Sequence, residues 1–205
     1  MKTEVLPASD PNAIRHAADV LRHNGVVAFP TDTVYGVGAL VFRTEAVQRL
    51  YLIKGRSTDK AIAVLVARNS DLLKVAHELT PCAQKLALKF WPGSLTLVVP
   101  KHPRLPEGVS VLPTVGVRRP DHTVAQKLLE LTGPLAVTSA NRSGEPSPLT
   151  AADVLAQLNG RIDLLLDGGS VPGGVPSTVV DCSSATPQIL RAGPISAAQI
   201  EAALR

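Results

Sequence analysis

Apolar and polar positions along the chain follow two rhythms, one near 3.6 residues and one near 2, and they predict alternating helices and strands. Ile14, Ala17, Ala18 and Leu21 recur at helical spacing behind Asp10-Pro11, an N-cap with proline in the first turn, and Asn24-Gly25 closes the segment. Val26 to Phe29 is a short apolar run, which predicts a buried strand. Thr44 caps a predicted helix whose apolar face is Val47, Leu50 and Ile53, and Ile62 to Val66 is a second strand. Helical patterns follow over Asp71 to His77 and Pro81 to Phe90. Trp91-Pro92-Gly93 breaks the pattern, and Leu95 to Val99 is again a strand. Lys101 to Pro113 is a proline-punctuated loop. Val115 to Val117 and Leu135 to Thr138 are short strands around a helix over Asp121 to Leu131, closed by Gly133-Pro134. Thr150-x-x-Asp153 opens a helix as a capping box with Asp in place of Glu, and Ser196 caps the last helix. Ile162 to Leu166 is a strand. Thr178 to Asp181 and Gln188 to Arg191 read as an antiparallel pair.

Strands alternating with helices predict an α/β class, and the late hairpin makes the sheet mixed, parallel and antiparallel. At 205 residues, with 45% hydrophobic residues, one domain over 1–205 with its core in about 10–205 is the expectation. Aromatics are 3%, too few for a sheet that binds RNA by stacking bases on rings. Of 17 prolines, 13 lie after Trp91, so the second half is predicted to be rich in stiff loops. The net charge is +4, but Arg43 to Arg104 holds 11 Lys or Arg against four acids. That surplus suits an electropositive surface facing phosphates, or simply solvated helix faces. Cys82 and Cys182 stand alone, without disulfide or zinc spacing. The first ten residues carry Glu4 and Asp10 and no apolar leader core. A reduced, cytoplasmic protein without a membrane segment is expected.

Familiar catalytic patterns are missing. Gly36-x-Gly38 follows a strand, but Val41 stands at the third position of a dinucleotide fingerprint, so the glycines read as a turn. His16, His23, His77, His102 and His122 show no ligand or triad spacing. Polar groups instead crowd the strand ends. These are Pro30-Thr31-Asp32-Thr33, Lys54-Gly55-Arg56 with Lys60, Thr114-x-Gly116-x-Arg118, Thr138-Ser139-Ala140-Asn141-x-Ser143, Ser177-Thr178 and Arg191. Each alone fits a turn or a helix terminus. Together they predict a cleft beyond the strand ends for an anionic nucleotide and a small polar molecule.

The ordered set Phe29-Pro30-Thr31-Asp32-Thr33-Val34-Tyr35-Gly36, Lys54-Gly55-Arg56, Trp91-Pro92-Gly93-Ser94-Leu95-Thr96, Val117-Arg118, Thr138-Ser139-Ala140-Asn141-x-Ser143-Gly144, Ser177-Thr178-Val179-Val180-Asp181 and Leu190-Arg191-Ala192-Gly193 resembles the YrdC/TsaC-type threonylcarbamoyl-AMP synthases, in their short, single-domain form. The resemblance implies a twisted mixed sheet flanked by helices around a large, positively charged cleft. It implies a nucleotidyltransferase that condenses L-threonine, bicarbonate and ATP to threonylcarbamoyl-AMP and pyrophosphate. Other proteins then transfer the threonylcarbamoyl group to adenosine 37 of tRNA; direct tRNA binding stays open.

By the same resemblance Thr31, Thr33, Arg118, Thr138, Ser177 and Thr178 face threonine. Lys54, Arg56, Lys60, Thr114, Ser139, Ala140, Asn141, Ser143, Pro148 and Arg191 face ATP, with Ser147 beside Pro148. Lys54 and Arg56 are the expected catalytic cations, and Mg2+ is expected to arrive with ATP; no dedicated metal ligands are assigned. The chain departs from the family run after Arg56, where Ser57, Lys60 and Ala61 replace Pro, Asn and Pro, and Leu65 replaces a frequent histidine. Two rival readings remain: a non-catalytic double-stranded RNA or tRNA-binding module of the same fold, and a related enzyme that forms a carbamoyl adenylate.

Overall fold

The computed structural model describes residues 2–205. In chain order its elements are β1 (Glu4–Pro7), α1 (Pro11–Arg22), β2 (Val27–Phe29), β3 (Gly36–Leu40), α2 (Thr44–Lys54), β4 (Ala63–Leu65), α3 (Leu72–Val75), α4 (Pro81–Phe90), β5 (Leu95–Pro100), β6 (Thr114–Arg118), α5 (Thr123–Thr132), β7 (Leu135–Ser139), α6 (Ala151–Leu158), β8 (Leu164–Asp167), β9 (Thr178–Asp181), β10 (Gln188–Arg191) and α7 (Ala197–Leu204). Local signals place the helix ends. Asp10 caps α1 through Asn12 N, Thr80 caps α4, Thr150 and Asp153 close a reciprocal capping box on α6, and Ser196 caps α7.

One mixed sheet of 10 strands runs in the order β1-β8-β2-β3-β7-β4-β6-β5-β9-β10. β1 and β2 lie parallel to β8, β4 parallel to β6 and β5 parallel to β9, while the remaining neighbours are antiparallel. Two strands differ from the sequence expectation. β1 is an edge strand whose partner lies some 160 residues away, beyond the reach of any local pattern. β3 occupies the segment read as a glycine turn. Its glycines answer to a neighbour instead: a Cβ on Gly36 would lie 2.9 Å from Val137 Cγ1, and one on Gly38 3.0 Å from Val137 Cγ2.

Alternation along the strands sorts side chains onto the two faces. Ala28, Val64, Leu97, Val117, Ala136 and Leu165 pack against α2, α3, α4, α6 and α7 on one face. Val27, Phe29, Leu135, Val137, Leu164 and Leu166 pack against α1 and α5 on the other. That second layer stops at Leu65 and Val137. Beyond it, the same face of β4, β6, β5 and β9 carries no helix among the described residues. There the inward positions change from large apolar residues to Ala63, Gly116, Arg118, Thr96, Val98 and Val179, which line a cavity.

Candidate functional site

The cavity measures about 350 Å³. Its floor follows from strand register: Ala63 pairs with Val137, Val98 with Gly116, and Thr96 with Val179. Its walls come from Thr31, Thr33 and Val34 after β2, Arg56, Ala61 and Ile62 before β4, Ser139 at the end of β7 with Ser147 beyond it, and Pro176 and Ser177 before β9. The sequence places a cleft beyond the strand ends, but the structure spreads it across the sheet face. The reason is direction. β7 runs antiparallel to β4, and β4 parallel to β6, so Ser139 and Arg118 end their strands at opposite edges and meet only over the face.

Arg118 is the most firmly held side chain of the site. Its Nε donates to Gly93 O at 3.0 Å, Nη1 to Thr33 Oγ1 at 2.9 Å, and Nη2 to Asp32 Oδ1 at 2.5 Å. A guanidinium has five N–H donors, so two remain, the number a carboxylate accepts from the fork. The loop supplying Thr33 and Asp32 is itself braced: Thr31 Oγ1 donates to Val34 O at 2.6 Å and accepts from Thr33 N at 3.2 Å. Opposite, Arg191 on β10 donates Nε and Nη2 to Ser177 O at 3.0 and 2.7 Å, and Ser177 Oγ lies 2.8 Å from Thr96 Oγ1. Burial, and then the Arg118 guanidinium, lower the Arg191 pKa from its ordinary value. Arg56 Nε and Nη2 donate to Lys60 O and Ala61 O at 3.2 and 2.9 Å. Among the described residues, Arg118 alone of these three guanidiniums has a carboxylate partner.

Of the residues named from the sequence, the structure brings Thr31, Thr33, Arg56, Arg118, Thr138, Ser139, Ser177 and Arg191 onto one cavity. It places others elsewhere. Lys54 is buried, its Nζ donating to Ser139 O at 2.5 Å, to Asn141 O, and to Asn141 Oδ1 at 3.3 Å. Burial, helped by Arg56, lowers its pKa from 10.5 to about 7. Lys54 therefore braces the loop after β7 rather than lining the cavity. Asn141 is engaged in the same brace, its Nδ2 donating to Arg142 O and Glu145 O at 2.9 and 2.6 Å. Thr178 Oγ1 donates to Ile195 O and accepts from Ile195 N. Ala140 and Pro148 hold Tyr35 through backbone bonds, and Ser143 N bonds Lys54 O. Lys60 and Ser143 have exposed side chains outside the lining, whereas Thr114 shares the strand face of Gly116 and Arg118 one step further out.

The motifs give Thr96, Gly116, Val98 and Val179 no role, and Asp32 a turn or at most an indirect contact. A faint signal existed: Thr114-Val115-Gly116-Val117-Arg118 alternates as a strand should, with small or polar residues on the side that would otherwise need a helix.

Residues 19–193 match the model of the Sua5–YciO–YrdC family, described as telomere recombination. A Bacillus subtilis protein named threonylcarbamoyl-AMP synthase is 44% identical over 98% of this chain and 59% of its own length. A Mycobacterium tuberculosis relative is 38% identical over 97% of this chain and 94% of itself. The crystal structure of Pyrococcus abyssi Sua5 complexed with L-threonine is 42% identical, with a TM-score of 0.91 over 93% of this chain and 57% of that one. The chain thus spans little more than half of the Bacillus and Pyrococcus proteins it matches.

Proposed function

The chain belongs to the Sua5–YciO–YrdC family, and from that premise we propose that it condenses L-threonine, bicarbonate and ATP to threonylcarbamoyl-AMP and pyrophosphate. The observation that carries the reading is the division of charge among three guanidiniums on one cavity. Arg118 is neutralised by Asp32 and keeps two donors, which suits a single carboxylate. Among the described residues, Arg56 and Arg191 have only carbonyl and hydroxyl partners, which suits the triphosphate. The Pyrococcus relative's L-threonine complex supports the amino-acid half.

In this reading Arg118 and Thr33 hold the threonine carboxylate, with Thr31, Thr138 and Ser177 around the amino acid. The threonine nitrogen forms a carbamate with the carbon of bicarbonate, releasing water. A carbamate oxygen then attacks the α-phosphorus of ATP, and the bond to the departing pyrophosphate breaks. The chain's part is to position the partners and to balance charge, since no activated nucleophile is needed. Ser139 and Ser147 border the nucleotide, with Thr114 further out on the same face. Lys54 and Asn141 act at one remove by bracing the Ser139 loop. Cations and hydroxyls line the cavity, a donor set for phosphate oxygens rather than for a divalent ion, so Mg2+ fits as the counter-ion of ATP, where it would offset phosphate charge. The product would pass to proteins that transfer threonylcarbamoyl to tRNA, in the cytoplasm.

Purified chain given ATP, L-threonine and bicarbonate should release pyrophosphate only when all three are present. Release that persists without threonine would overturn the assignment. RNA binding without any turnover would favour a binding module.

A further inference from the structure

Asp32 does not line the cavity, yet it is the acidic partner of the guanidinium that does. The pair is well enclosed, with side chains 8% and 16% exposed for Arg118 and Asp32. Asp32 and Thr33 are consecutive in a loop braced by Thr31, and they take the same guanidinium from two nitrogens. Gly93 O takes the third. One short loop therefore sets both the tilt and the rotation of the Arg118 plane. Remove Asp32, and Arg118 keeps Thr33 and Gly93 but loses the acceptor oxygen that fixes Nη2. A long side chain relieved of one of its three anchors regains freedom to tilt within the open cavity.

We propose that Asp32 is the positioning residue of the amino-acid end of the cavity: its carboxylate holds Arg118 so that the two unbonded N–H groups stay available to the carboxylate of an α-amino acid. This rests on the reading that the cavity takes threonine through Arg118. The role calls for an acceptor oxygen at Oδ1 more than for a full charge. Asp32→Asn should therefore keep much of the function, and Asp32→Ala should not.

The test compares wild type, Asp32→Ala and Asp32→Asn by pyrophosphate release while threonine and ATP are titrated separately. Asp32→Ala is expected to raise the threonine KM about tenfold or more, the loss of one charge-assisted hydrogen bond, and the ATP KM less than about twofold. Asp32→Asn should return the threonine KM to within about threefold of wild type, since its amide oxygen accepts the same bond. A threonine KM unmoved in Asp32→Ala, or both constants rising together in both variants, would overturn the proposal. A thermal melt of each variant separates the effect from unfolding, and the two KM values from one sample separate it from general loosening. If wild type itself shows no threonine dependence, the parent reading fails, and it fails in the wild-type arm rather than in the variants.

Discussion

Gly173 lies so close to Thr33 that a Cβ placed on it would stand 1.6 Å from the Thr33 carbonyl oxygen, and Gly174 N bonds that same oxygen at 3.0 Å. The loop before β9 is thus seated on the backbone of the residue whose hydroxyl accepts from Arg118. Gly173→Ala cannot be accommodated by a side-chain rotation, because the obstacle is backbone. The substitution should cost about 1–3 kcal/mol of stability and weaken threonine binding about tenfold or more. Urea denaturation and calorimetric titration with L-threonine check the two effects. Wild-type affinity in the variant would show that the Thr33 loop moves freely.

Lys54 ties the end of α2 to the loop after β7 through three acceptor oxygens. Lys54→Met would leave these oxygens without their donor and should destabilise the chain by about 1–3 kcal/mol at neutral pH. The difference should also depend on pH. The folded pKa, about 7, lies below the unfolded 10.5, so between them the unfolded chain binds more protons and wild-type stability rises with pH. Lys54→Met lacks this titration. The stability gap should therefore move in favour of wild type from about pH 7 to about pH 10, which a denaturation series reads. A gap that stays flat would mean that Lys54 remains protonated in the fold.

Gly116 forms part of the cavity floor, with room for little else: a Cβ there would meet Thr96 Cγ2 at 3.2 Å and Ala63 Cβ at 3.9 Å. Gly116→Val adds methyls that point into the cavity while suiting a strand. Ligand binding should fall about tenfold or more, and crowding against Thr96 should cost about 1–3 kcal/mol of stability. ATP and threonine titrations beside a thermal melt decide it. Unchanged binding would place the ligands away from this floor.

Tyr35 is fully buried, and its hydroxyl donates to Gly169 O at 2.7 Å and accepts from Gly168 N at 3.0 Å. Tyr35→Phe leaves both backbone groups short of a partner and should cost about 1–3 kcal/mol. Amide exchange at Gly168 should quicken by more than the global loss explains, since the anchor is local. Equal changes across the chain would assign Tyr35 to the core alone.

The amino-acid order alone determined those parts of this protein that depend on neighbours in the chain. Asp10-Pro11 opens α1 and Thr150 with Asp153 opens α6, because a cap needs only a side chain and a backbone N–H two or three residues away. The β9–β10 pair was legible for the same reason, as two short strands with a turn between them. So was much of the set of cations and hydroxyls that the fold gathers on one cavity. Tertiary structure decided what depends on distant partners. β1 is a strand because β8 pairs with it, and Gly36-Val37-Gly38 is a strand because Val137 needs the space of two missing side chains. Lys54 looked like a phosphate cation until carbonyls of Ser139 and Asn141 closed around it. Asp32, in what reads as a turn, meets Arg118 86 positions further on. The cavity itself exists because α1 and α5 cover only part of one sheet face. Which part stays open is a matter of packing between elements, and no local pattern in the chain carries that information.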